Sequence, residues 1–152
     1  MSALLSIAPQ LGIIAMVMSL AQLLPIGVSL AYSDGTTSAF VLSMAFNCAA
    51  GYVVWVFTHR YRRDLGLRDG FLLVTLAWAG GAAFATLPLL MAIPGLSVTD
   101  AYFETMSGLT TTGATMLSNL DTLAPALNIW RGLLVWLGGM GLIVLAVAVP
   151  SS

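Results

Sequence analysis

Four apolar stretches, about residues 4–31, 38–58, 70–92 and 128–149, constrain this chain more than any other feature. A hydrocarbon core of ~30 Å takes ~20 residues of helix at ~1.5 Å each, so every stretch is long enough to cross one. Lipid offers no partner to a backbone N–H or C=O, and a helix satisfies these groups within a single segment. The stretches are therefore expected as helices. Composition agrees: 59% of the 152 residues are hydrophobic and 7% charged, outside the range of a soluble domain. The fold class read from these features is an all-α membrane protein with four transmembrane helices.

Four of the five basic residues, Arg60, Arg62, Arg63 and Arg68, fall in "HRYRRDLGLRD", residues 59–69. Basic loops stay on the cytoplasmic side. This loop is thus expected inside, together with the N- and C-termini, while the turn "YSDGTTS" (32–38) and the 93–127 segment lie outside. Arg131 opens the fourth stretch on the outer side and needs a partner. The first stretch has no basic region before it and is far longer than a signal-peptide core, which favours a retained helix over a cleaved signal. Pro9 and Pro25 within it predict a kink or an early end.

Catalysis has little to draw on. A lone Cys48 leaves no intrachain disulfide, and one His59 with one cysteine makes no zinc ligand set. Ser107 precedes a glycine as some nucleophiles do, but the only histidine is expected on the opposite membrane face. The chain is read as a non-enzyme without a cofactor.

The outer segment departs from a plain helical hairpin. "SVTDAYFETMSGL" (97–109) opens with Ser97 and has Asp100 three residues on, an acidic variant of the capping box that satisfies free N–H groups at a helix start. A helix over about 98–109 would be ~18 Å long, half a bilayer. It can enter but not cross. Followed by "TTTGAT" and the polar return "LSNLDTLAP", it reads as a re-entrant pore helix and selectivity-filter loop, irregular backbone being tolerated at that depth only against protein or water. A connecting turn is the plain alternative, and the capped half-helix argues against it.

Stacked backbone carbonyls can replace the hydration shell of a monovalent cation. Turning successive carbonyls to one side requires left-handed conformations at intervals, which Gly113 adopts at little steric cost. Threonine hydroxyls can serve at the mouth or pack the segment from behind. The C-terminal end of the half-helix, near Gly108 and Leu109, adds partial negative charge. Asp100 and Glu104 share a helix face. Asp100 reads as a cap and as part of an outer acidic ring, and Glu104 reads as the partner of Arg131, because a buried unpaired charge is costly. Gln10, Gln22 and Asn47, the ridge Ala77, Gly81 and Ala85, and Gly138, Gly139 and Gly141 read as helix packing. Trp130, beside Arg131, reads as an interface anchor.

"DAYFETMSGLTTTGATML" followed by "WRGLLVWLGGMGLIVLAVAVP" resembles the first pore repeat of the Trk-type potassium transporters, whose superfamily includes the Ktr and HKT proteins. The resemblance covers residues 70–149. It divides the chain into an N-terminal helix pair (1–58), as in the bacterial Trk subgroup, a cytoplasmic Arg-rich loop (59–69) and a helix, pore-loop, helix unit (70–152). It implies potassium transport across the bacterial inner membrane. The filter would be Thr111, Thr112, Gly113 and Ala114, flanked by Thr110 and Thr115, with K+ bound through backbone carbonyls only.

Such pores take four repeats, and one is present here. The expected assembly is a longer protein with three further repeats; four copies around an axis and a non-conducting scaffold or remnant subunit are the alternatives. The resemblance also implies a homo-oligomer with a cytoplasmic nucleotide-binding regulatory subunit. Nucleic acid is not an expected partner.

Overall fold

The computed structural model describes residues 3–61 and 66–148. Arg62 and Arg63 of the basic loop, and the chain beyond 148, lie outside the described residues. Six α-helices follow in order: α1 (Ala3–Ala21), α2 (Leu23–Tyr32), α3 (Thr37–Thr58), α4 (Leu67–Ala92), α5 (Val98–Leu109) and α6 (Pro125–Ala148). Short 3-10 turns occupy His59–Tyr61 and Leu120–Thr122. Among the described residues the regular structure is all helical, and three stretches are long and apolar enough to cross a membrane: Leu4–Tyr32, Thr37–Tyr61 and Arg68–Ala92. Helix α6 has 24 residues, a length of ~36 Å.

Prolines shape two of these helices. Pro25 carries no N–H, so the Ala21 carbonyl loses its helical donor. The break falls there, with Gln22 between α1 and α2 and its N–H turned to the Ser19 carbonyl at 3.1 Å. Pro9 leaves α1 continuous. In α4, Pro88 deprives the Phe84 carbonyl of its donor, and the buried Asn47 side chain of α3 supplies one, Nδ2 donating at 3.1 Å. The helix runs on through the proline because a neighbouring helix repairs the missing bond.

Close contact between α1 and α3 depends on two glycines. A Cβ added to Gly12 would stand 2.7 Å from the Gly51 carbonyl oxygen, and one added to Gly51 would stand 2.7 Å from that of Gly12. Both distances are below any real Cβ contact, so only hydrogen fits on either side. With no hydrophobic drive between helices in lipid, such backbone approach is a main source of packing.

The core around α5 centres on Trp130. Contrary to the interface role expected of it, this ring is 0% exposed. It stands edge-on to Phe40 with centroids 6.2 Å apart and donates Nε1–H to the Ala85 carbonyl at 3.1 Å. An interior acceptor satisfies the indole N–H, which removes the reason for a tryptophan to seek the headgroups. Ala82, Ala85, Leu89, Ala101, Leu127 and Leu134 complete this core around α5.

Asp34 ties the ends together. In the turn between α2 and α3 its carboxylate accepts from Ser29 Oγ at 2.6 Å, Thr36 N at 3.0 Å and Thr36 Oγ1 at 2.8 Å. Its second oxygen accepts from the N–H of Ala126 at 3.0 Å, in the first turn of α6 and 92 residues away. The turn and the start of α6 therefore lie at one end of the bundle. Burial raises the Asp34 pKa, but these hydrogen bonds outweigh it and bring the carboxyl from 3.8 down to about 2.

Candidate functional site

Helix α5 starts where the sequence indicates. Ser97 Oγ accepts from the Asp100 N–H at 3.0 Å and donates to Asp100 Oδ2 at 2.7 Å. The Asp100 side chain thus meets the Ser97 hydroxyl rather than the Ser97 N–H of a full capping box. Ala101, Glu104, Thr105, Ser107, Gly108 and Leu109 are buried, packed between α4 and α6. Thr105 Oγ1 donates to the Ala82 carbonyl at 3.0 Å and Tyr102 OH to that of Ala79 at 3.2 Å, which fastens α5 along α4.

The C-terminal end of α5 builds the next segment. Four carbonyls at a helix end lack intrahelical donors, and here each finds one. Met106 O accepts from Thr110 N at 2.9 Å, Ser107 O from Thr112 N at 2.9 Å and Gly113 N at 3.4 Å, and Gly108 O from Thr111 N at 2.9 Å. Leu109 O accepts from Trp78 Nε1 at 3.2 Å. The partial negative charge expected at this helix end is thus met largely by the chain's own amides.

A planar trans peptide points its N–H and C=O in opposite directions. With their N–H groups turned into α5, the units joining 110–111, 111–112 and 112–113 turn the oxygens of Thr110, Thr111 and Thr112 away from it. Thr111 (φ 57) and Gly113 (φ 75) are both left-handed, with Thr112 between them outside that region. Glycine accepts this freely. Thr111 is β-branched and strained there, a feature its sequence does not advertise. Residues 110–116 are exposed, and among the described residues no hydrogen bond is donated to the carbonyls of 110–113.

Ala114 differs from the expectation placed on it. Its carbonyl accepts from Ser107 Oγ at 2.7 Å and so points back toward α5. Beyond it, Glu104 holds the segment's far end. The carboxylate, 3% exposed, accepts from Thr115 Oγ1 at 3.0 and 2.9 Å and from Met116 N at 3.1 Å. Arg131 of α6 donates to the same carboxylate through Nε and Nη2, each at 2.6 Å. The two charges that lacked partners in the sequence therefore meet. Thr110 Oγ1 lies 2.8 Å from Thr112 Oγ1, and Thr115 Oγ1 accepts from Leu117 N at 3.1 Å, so the threonine hydroxyls brace the segment. Behind it lies a cavity of ≈ 250 Å³ lined by Glu104, Ser107, Gly113, Asn128 and Arg131 among others.

Two residues of this site have roles other than those read from the sequence. Ser107 reads there only as a nucleophile, although a serine one helical turn before a Thr/Gly run is placed to bond that run. Gly138, read as general packing, faces the Leu109 carbonyl: a Cβ there would stand 1.9 Å from its oxygen. No sequence signal pairs these two positions.

Residues 36–151 match the TrkH family, described as cation transport protein. The chain is 43% identical over 140 residues to the Trk system potassium uptake protein TrkH of Halomonas elongata, covering 91% of this chain and 29% of that one. It is 41% identical over 139 residues to TrkH of Escherichia coli K12, covering 91% and 29%. The crystal structure of the potassium transporter TrkH from Vibrio parahaemolyticus superposes with a TM-score of 0.89 at 42% identity, over 95% of this chain and 31% of that one. The chain thus spans about three tenths of the length of these relatives. On the family match and on these likenesses together, the chain belongs to the TrkH family of membrane cation transport proteins.

Proposed function

We propose that this chain supplies one quarter of a potassium-selective pathway, with 110–113 as its share of the filter. The observation that carries the reading is the row of carbonyls at Thr110, Thr111, Thr112 and Gly113 without protein donors, the first three turned away from α5 by N–H groups anchored in that helix. Oxygens so presented can replace the water around a bare K+ without adding net charge. Thr111, Thr112 and Gly113 are the proposed ligands, with Thr110 and Thr115 flanking them. Ala114, also expected as a ligand, has its carbonyl engaged by Ser107. K+ is the cargo, and no further cofactor is called for.

In this reading α6 is a fourth spanning helix and α5 a re-entrant pore helix. The arginine loop faces the cytoplasm with both termini, and the filter opens outward. Asp34 meeting the start of α6 supports one side for the turn and the filter mouth. Three further quarter units complete the pore, and the length of the potassium uptake relatives, 29% of which this chain covers, supports repeats within one longer protein. A homo-oligomer with a cytoplasmic nucleotide-binding regulatory subunit, in a bacterial inner membrane, completes the proposal.

Gly113→Ser tests it. A Cβ at Gly113 meets nothing within 4 Å, so the cost is conformational, about 1–2 kcal/mol for an L-residue in the left-handed region. In a complete pore carrying this segment, the K+/Na+ permeability ratio should fall. An unchanged ratio overturns the assignment.

A further inference from the structure

Within five residues the segment reverses the direction of its carbonyls. Oxygens of Thr111 and Thr112 are turned away from α5, because the N–H groups of Thr112 and Gly113 are held by the Ser107 carbonyl at 2.9 and 3.4 Å. The oxygen of Ala114 is turned toward α5, where Ser107 Oγ donates to it at 2.7 Å. One residue, 4% exposed, thus governs both directions, the first through its backbone and the second through its side chain.

Only the side chain can be edited without moving the helix. The next anchor, Glu104, takes Thr115 Oγ1 and Met116 N–H and does not touch the Ala114 oxygen. Among the described residues, the Ser107 hydroxyl is the donor that holds this carbonyl back.

We propose that Ser107 is a positioning residue for ion selectivity, its hydroxyl holding the Ala114 carbonyl against α5 so that it stays out of the row of donor-free oxygens that ends at Gly113. The inference rests on the reading of Thr111, Thr112 and Gly113 as ion ligands. Without the hydroxyl, the 114–115 peptide turns over and adds an unanchored oxygen to the end of the row. A cage whose number of ligands fluctuates separates K+ from the smaller Na+ less well. A net hydrogen bond biases such a two-way choice roughly two- to tenfold, and Ser107→Ala should lower the K+/Na+ permeability ratio by about that factor.

The experiment uses a complete pore carrying this segment, with K+, Rb+ and Na+ permeabilities measured alongside protein abundance and thermal unfolding. Ser107→Ala is expected to lose selectivity at unchanged abundance and unfolding temperature, whereas Ser107→Thr, which keeps the hydroxyl, retains the ratio. A wild-type ratio in Ser107→Ala, or a loss in Ser107→Thr as large as in Ser107→Ala, overturns the proposal. Should Ser107→Ala fail to reach the membrane, Ser107→Cys keeps the side-chain shape with a slightly larger atom and a weaker donor: a lowered ratio supports the proposal and a wild-type ratio overturns it. Gly113→Ser, run in parallel, separates the two readings. If it lowers the ratio and Ser107→Ala does not, the filter stands and the role of Ser107 falls; if neither does, the filter assignment itself falls.

Discussion

Replacing Gly138 by alanine adds one methyl group at the glycine with the least room for one. The new Cβ would stand 1.9 Å from the Leu109 carbonyl oxygen, 2.6 Å from its carbon and 2.9 Å from the Leu109 Cα. All three atoms are backbone, so no side chain can rotate out of the way, and relief means moving α6 and the end of α5 apart by more than about 1 Å, given optimal separations of ~3.5–4.0 Å. Overpacking of this kind costs about 1–3 kcal/mol. The Trp78 Nε1 bond to the same carbonyl is 3.2 Å long and breaks in that movement, adding about 1 kcal/mol. A total near 2–4 kcal/mol is expected, delivered to the residue immediately before the proposed filter. Thermal unfolding of a complete transporter in detergent, with K+ uptake by transporter-deficient cells, measures both consequences. Gly139→Ala is the internal control, since its Cβ would meet nothing closer than Thr111 Cγ2 at 3.8 Å. Wild-type unfolding and uptake in Gly138→Ala, or equal damage from both substitutions, would refute the reasoning.

Two further perturbations act on charged contacts. Glu104→Arg or Arg131→Glu alone leaves a buried charge unpaired and should cost about 3–5 kcal/mol; the double exchange should recover the part due to the pair but not all, since an arginine at position 104 accepts from neither Thr115 Oγ1 nor Met116 N–H, and a double variant no better than the singles, by yield of monodisperse protein, contradicts the pairing. Asp34→Ala removes the cap from α6 and should destabilise by about 1 kcal/mol. Because folding lowers the Asp34 pKa from 3.8 to about 2, its contribution is complete above pH ~4 and is lost as pH falls through about 2. Asp34→Asn should flatten the acid limb of stability against pH over that interval, and an unaltered limb in acid unfolding speaks against the clasp.

Much of the fold is legible because lipid leaves few choices. Apolar length alone locates the helices to within a few residues: α3 begins at Thr37 against an expected 38, and α4 at Leu67 against 70. Of the two prolines expected to kink or end the first stretch, Pro25 breaks it at Gln22, one turn upstream, while Pro9 leaves the helix continuous. What the sequence does not carry is which distant groups answer each local deficit. The Phe84 carbonyl, freed by Pro88, could have turned to water or to any neighbouring helix; it meets Asn47. Asp34 looks like an ordinary turn residue, and its bond to Thr36 N is one. Its reach to Ala126 depends on how two helix pairs stand together. Trp130 went into the core because the Ala85 carbonyl was there to receive its N–H.

At the site, residue types reveal the chemistry but not its direction. Three threonines and a glycine say that polar backbone is present, and Glu104 with Arg131 can be matched as opposite charges that both need a charged partner. Which oxygens face outward is decided by the end of α5, whose unpaired carbonyls capture the amides of 111–113 and so aim the oxygens of Thr110, Thr111 and Thr112 the other way. This also accounts for Thr111. A β-branched residue in the left-handed region costs about 1–2 kcal/mol, and the bonds from Thr111 N to Gly108 O and from Thr112 N to Ser107 O, both 2.9 Å, contribute about 1 kcal/mol each. Strain and anchoring nearly cancel, so the segment holds one backbone arrangement only while α5 presents those carbonyls. Any change that shifts the end of α5, at Gly138 or at Trp78, should therefore alter the discrimination of the proposed filter along with the stability of the bundle.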